Sequence, residues 1–260
     1  MTTGAIDNDL YDREPESWWS ENGFLNLLQS ATNPWRLPYF KRVLSELNLD
    51  PGRKRALEVG CGGGLLSEEI ARMGYRVIGV DPSEKSLAVA RRHAQENHLE
   101  IDYQHGIGEH LPFDPHSFDI ALCCDVLEHV KNWEAVISEV SRVLAPGGVF
   151  FYNTVNRTAT SYKNAIRMMQ EMWLTRFAPP RMHVWEMFIT PDELMGALEK
   201  YGLDHKEIVG ARSEGSAFQV VSAILLHRVG IINSAEFGKR IRETESPDTS
   251  VNYMGYAIKR

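Results

Sequence analysis

Asp125, Glu128 and His129 stand at i, i+3 and i+4, a spacing that would put two carboxylates and an imidazole on one side of a single turn. Such a trio can hold a hard divalent ion such as Mg²⁺, with Zn²⁺ as a borderline alternative, or can take a proton from a substrate. The same residue types also serve plainer ends, because an acid near a helix start, a solvated Glu and a packed His are all common. His183, in Met182-His183-Val184-Trp185 behind Pro179-Pro180, is a second candidate base, held in a loop that the prolines would shape. A third constellation is Gly60-Cys61-Gly62-Gly63-Gly64 followed by Asp81 and Pro82. Glycines there let the backbone turn sharply and approach a ligand at a helix start, and a carboxylate ending the next strand can accept both hydroxyls of a ribose.

The surrounding pattern has to place these groups. Ala56–Val59 and Arg76–Val80 read as strands, and Leu65–Met73 between them as a helix with apolar residues at 65, 66, 70 and 73. Ser83 is a suitable N-cap for the helix carrying Leu87, Ala90 and Ala94. Strands around Glu100–Tyr103, Phe118–Cys123 and Val149–Asn153, with a helix from Trp133 to Leu144, continue an alternation that predicts an α/β fold with a mostly parallel sheet covered on both faces. Ala145-Pro146-Gly147-Gly148 suits a type II turn, with Gly147 at the position that needs positive φ.

The glycine spacing narrows the ligand. A dinucleotide loop wants a third glycine three places after the second, and position 65 is Leu. The Gly60, Gly62, Gly64 spacing instead resembles the S-adenosylmethionine motif of class I methyltransferases. In that arrangement Glu58 would meet the cationic end of the cofactor, and Gly108-Glu109 would border the adenine, although Glu109 is equally readable as a solvated acid.

Bulk properties exclude several classes. A formal net charge of −7 argues against nucleic acid as the partner, which needs clustered Lys and Arg. Three cysteines, two of them adjacent, give no disulfide framework and fit a reducing, cytoplasmic setting. The first thirteen residues carry acids and no apolar run, so no secretory signal is expected. No apolar stretch reaches the roughly 18 residues of a membrane span.

The chain resembles the ubiquinone-biosynthesis O-methyltransferases, which methylate catechol-like polyprenyl rings. The resemblance is carried by Trp18-Trp19, Asn33-Pro34-Trp35-Arg36-Leu37, Leu57 to Gly64, Leu127-Glu128-His129-Val130, Asn156-Arg157, His183 to Ile189 and Val251-Asn252-Tyr253-Met254. It implies a Rossmann-like class I methyltransferase fold with a seven-stranded sheet and a helical lid. The implied single domain over 1–260 divides into an N-terminal helical segment (1–47), a cofactor-binding core (48–155) and a lid with a sheet-completing tail (156–260). It also implies cofactor contacts from Arg36, Gly60, Asp81 and Cys124, and a divalent ion at Asp125, Glu128 and His129, with Asp125 where the family has Glu. The family's Gly-Leu-x-Tyr-Asn-Pro element is replaced by Gly210-Ala211-Arg212-Ser213-Glu214-Gly215 and a longer segment to Ser250, so a rebuilt acceptor pocket is expected.

The expected reaction is O-methylation of an aromatic or prenylated small molecule, with the phenolic proton removed by Glu128, His129 or His183, or with the oxygen on a metal. C- or N-methylation in a natural-product pathway shares all the cofactor residues, and a non-catalytic S-adenosylmethionine-binding protein shares most of them. Tyr162–Phe188 places Ile166, Met169, Trp173 and Phe177 at helical spacing among Lys163, Arg167, Arg176 and Arg181, which predicts an amphipathic lid over the acceptor, suited also to peripheral contact with an anionic membrane. The apolar stretch Phe218–Ile232 is expected to cover the acceptor or meet another subunit. The sequence leaves the oligomeric state open.

Overall fold

In the computed structural model, which describes residues 5–52 and 54–260, eight strands form one sheet: β1 (Arg55–Val59), β2 (Arg76–Asp81), β3 (Ile101–His105), β4 (Phe118–Cys124), β5 (Leu144–Val155), β6 (Leu203–Ser213), β7 (Glu243–Ser246) and β8 (Asn252–Lys259). Their order is β3-β2-β1-β4-β5-β8-β6-β7. The first five run parallel, and β8 lies antiparallel between β5 and β6. The sheet therefore has the expected mostly parallel core, with a short eighth strand, β7, added on the edge of β6. This strand comes from the long segment after Gly215, where the sequence departs from the resembling family.

Period-two alternation builds the two apolar layers. Phe150 and Tyr152 of β5 pack on one side with Val136, Ile137 and Val140 of the helix Trp133–Val143. Val149 and Phe151 pack on the other with Phe40 and Val43 of the helix Asn33–Glu46 and with Leu66 and Ile70 of the helix Leu65–Arg72. A strand buried on both faces has little room for polar side chains except at its ends, so polar residues gather at the carboxyl ends of the parallel strands, where ligands bind in open α/β sheets.

Local signals hold where they rest on backbone chemistry. Ser83 caps its helix, accepting from the Ser86 amide at 3.0 Å. Gly147 has φ of +79°. The lid differs from the expected continuous helix: a π-helical stretch covers Tyr162–Glu171 and irregular chain follows to a short turn at Trp185–Met187. The backbone folds back there, with the Phe177 and Ala178 amides both donating to the Met169 carbonyl, so Trp173 is thrown outward and is 73% exposed. The stretch ends where Met172 turns extended, with ψ of 117°, and Pro179 and Pro180, which lack amides, keep a helix from resuming through them. The helix Ala217–Arg228 buries Ala223 and Ile224 against Leu27 and Phe237, with Phe177 packed beside them, and leaves Phe218, Val221 and Leu225 exposed. Among the described residues no helix is long and apolar enough to cross a membrane.

Candidate functional site

One cavity of about 530 Å³ opens at the carboxyl ends of β1 to β5. Of the candidate catalytic, cofactor and metal residues, all but Gly62 and Gly64 line it: Arg36, Glu58, Gly60, Asp81, Pro82, Gly108, Glu109, Cys124, Asp125, Glu128, His129 and His183.

At one end the glycine loop follows β1. Gly60, Gly62 and Gly64 all have positive φ, of 73°, 50° and 82°. A Cβ on Gly62 would land on the Trp18 ring, and one on Gly64 on the Tyr103 hydroxyl. The loop is thus closed from outside by aromatic side chains, with the Trp19 indole donating to the Gly63 carbonyl at 2.8 Å. Gly62→Ala should cost about 1–3 kcal/mol by overpacking alone. A drop of several degrees in melting temperature should accompany loss of ligand affinity; an unchanged melting curve would contradict this packing.

Asp81, ending β2, accepts from the Gly62 amide through Oδ2 and from the Ser83 amide through Oδ1, both at 2.8 Å. Burial pushes its carboxyl above the usual range, while those two amides favour the ionised form. Glu58 of β1 is buried and accepts from the Ser67 hydroxyl. Burial raises Glu58 to about 8, against the pull of Ser67 and Arg36. A carboxyl raised in the folded state stabilises the fold below its ordinary value of 4.5 and loses that contribution as pH rises through about 8. The imidazoles of His129 and His183, lowered by burial, oppose this loss below about pH 6.5, so ligand-free protein should lose melting temperature from about pH 6.5 to about pH 9, and Glu58→Gln should remove a contribution worth about 5 kcal/mol at most across about pH 5–8. Parallel curves for the two proteins would show that Glu58 ionises normally.

The other end is built by the loop after β4. Asp125 adopts φ of +56°, and its carboxylate accepts from the fully buried Arg36 guanidinium, which also donates to Asn153 Oδ1. Burial destabilises the charged guanidinium, but the facing Asp125 charge prevails and holds Arg36 firmly protonated. The expected trio is thereby changed in one member. Among the described residues, the group whose ligand atoms lie within 4.8 Å of one another is Glu128, His129 and His183. Asp125 stays with Arg36, because a buried guanidinium needs a counter-charge.

Glu128 Oε2 accepts from Thr154 Oγ1 at 2.8 Å, while Oε1 is buried with no hydrogen-bond partner. His183 Nδ1 is likewise buried and unpartnered, and its ring lies 5.3 Å from that of His129. Burial, aided by the Asp125 charge, raises Glu128 to about 8. Burial lowers His129 to about 3, with His183 adding to the effect, and lowers His183 to about 4. Both imidazoles are therefore neutral at physiological pH, each with one lone pair for a cation or a hydrogen-bond donor. Gln170 fixes the His183 backbone, its Oε1 accepting from the amide at 3.0 Å. The spacing of 125, 128 and 129 could not reveal His183 as the third member; only the lid's fold-back delivers it. Thr154 and Asn153, which hold Glu128 and Arg36, are polar residues ending a buried strand, the one pattern that could have marked them.

Comparisons with known proteins give the family and the fold. The family described as "Methyltransferase domain" matches residues 57–152. A ubiquinone biosynthesis O-methyltransferase of Agrobacterium fabrum is 33% identical over 97% of this chain and 94% of its own length, and that of Methylobacterium nodulans 37% over 97% and 96%. The chain belongs to the ubiquinone-biosynthesis O-methyltransferase family. As a member of this family it is an S-adenosylmethionine-dependent methyltransferase. Among solved structures, a methyltransferase from Thermotoga maritima superposes with a TM-score of 0.57 at 18% identity, covering 97% of both chains. The [4+2]-cyclase SpnF superposes at 0.55 and 18% identity, covering 84% of this chain and 80% of its own. These two likenesses speak for the fold alone.

Proposed function

We propose that the enzyme transfers the methyl group of S-adenosylmethionine to a phenolic oxygen of a small quinol- or catechol-like acceptor. Asp81 receives the ribose hydroxyls of the donor, Glu58 and Arg36 face its amino-acid end, the Gly60–Gly64 loop and Cys124 wall the donor, and Gly108-Glu109 border the adenine. The acceptor lies between the donor and the lid, against Met169 and Phe177, with its hydroxyl toward Glu128, His129 and His183.

The observation that carries this reading is the pair of unpartnered buried atoms, Glu128 Oε1 and His183 Nδ1, in the same cavity as Asp81. Buried polar atoms are rarely left unpaired, so these two favour a hydroxyl or a cation as their missing partner. One carboxylate and two neutral imidazoles make a suitable donor set for a divalent ion. A cation there supplies positive charge that favours the ionised phenol. The chain's own residues do the rest: Glu128, whose carboxyl burial raises to about 8, takes the phenolic proton, the single lone pairs of the two imidazoles would face the cation, the glycine loop and Asp81 fix the donor, and the lid excludes water. Alignment of two bound reactants can by itself supply about 7–11 kcal/mol of the barrier.

An acceptor with a long apolar tail resides in a membrane. The outward Trp173, with Arg228 stacked on it at 5.2 Å, and the exposed Leu174 and Phe218 give the chain a surface on which to meet it. Purified enzyme should methylate a dihydroxybenzene acceptor, lose that activity to a chelator and regain it with added Mg²⁺ or Zn²⁺. Full activity in chelator would remove the cation from the scheme, and activity only on amine acceptors would remove the phenol.

A further inference from the structure

We propose that Asn8 is a positioning residue for His129, fixing which ring nitrogen bears the proton. Asn8 Nδ2 donates to the His129 carbonyl at 3.1 Å, and Asn8 Oδ1 lies 3.3 Å from His129 Nδ1. The orientation of this amide follows from chemistry. A backbone carbonyl only accepts, so the NH₂ must face it and the amide oxygen must face the ring. That oxygen only accepts too, so His129 Nδ1 carries the hydrogen, and the lone pair of the neutral ring is left on Nε2. Histidines that bind metals or move protons are commonly oriented by such a partner on the other nitrogen.

Asn8 lies on a strap anchored on both sides. The Asp7 amide donates to the Arg181 carbonyl of the lid at 3.0 Å, and Arg13 forms two hydrogen bonds to the Asp7 carboxylate. Farther along, Asp12 accepts from the Ser83 hydroxyl at 2.6 Å, beside Asp81. The strap so reaches from the donor end of the cavity to His129, and it lies before the first segment that carries the family resemblance.

This inference rests on His129 belonging to the acceptor site. It is tested on full-length enzyme labelled with ¹⁵N-histidine, the His129 signals being assigned by their absence in His129→Gln. Long-range proton–nitrogen correlation should show His129 protonated at Nδ1 in the wild type, mixed between tautomers in Asn8→Ala, and again at Nδ1 in Asn8→Asp, whose carboxylate can still accept. Turnover should fall by about 10–100-fold in Asn8→Ala with S-adenosylmethionine affinity unchanged, and should largely recover in Asn8→Asp. Protonation of wild-type His129 at Nε2, or an Asn8→Ala enzyme with unaltered tautomer, would overturn the proposal whatever the rate. If His129→Ala retains full turnover, the reading of the acceptor site fails instead, and the tautomer data distinguish the two failures.

Discussion

Glu128→Gln is expected to lower turnover by about 10²–10⁴-fold while leaving S-adenosylmethionine affinity unchanged. Gln keeps the shape of the side chain and an oxygen able to accept from Thr154, so the fold around β5 should persist. It removes the one negative charge that the cluster with His129 and His183 can offer. Titration calorimetry for the donor and initial rates for the acceptor separate the two effects. Equal losses in donor affinity and in rate would instead mean that Glu128 supports the donor site. His183→Ala should behave similarly in rate, and the donor affinity is again the control, because His183 belongs to the lid and Asp81 to the far end of the cavity.

Asp81→Ala should have the opposite signature, weakening S-adenosylmethionine binding by about 10²–10⁴-fold. Two charge-assisted hydrogen bonds to the ribose, each worth about 1.5–3 kcal/mol, set that scale. The variant also releases the Gly62 and Ser83 amides that the carboxylate now orders, so Asp81→Asn, which can still accept from one of them, is the companion that separates loop order from ligand contact. If both variants bind the donor as the wild type does, the ribose does not lie at Asp81.

The glycine loop and Asp81, proposed above as the donor half of the site, were legible in the sequence because they depend on local backbone chemistry. Three glycines in left-handed conformations, an acid ending the next strand and a serine cap are each encoded within a few residues. Even there the outer wall was not: Trp18 covers Gly62 and Gly63 from more than forty positions away. The acceptor half depends on contacts between distant segments. Glu128 and His129 stand where the spacing put them, but a buried Arg36 took Asp125, and the lid supplied His183 after doubling back at Met169. Helical periodicity over 166, 169, 173 and 177 could not foresee that reversal, since the helix ends at Glu171 and the Phe177 and Ala178 amides bond back across the turn to Met169. The extra strand β7 was equally hidden. It is four residues long at a sheet edge, and pairing with β6, not its own pattern, makes it a strand.

The central claim is that the donor bound at Asp81 and an acceptor hydroxyl at Glu128, His129 and His183 meet in one cavity. The most direct test is a single turnover, with enzyme in excess, from S-adenosylmethionine bearing a trideuteromethyl group to a quinol acceptor, followed by mass-spectrometric localisation of the label. The label should appear on a ring oxygen, and Glu128→Gln should abolish it with the donor still bound. Label on carbon or nitrogen, or no transfer by wild-type enzyme with both ligands shown to be bound, would contradict the account.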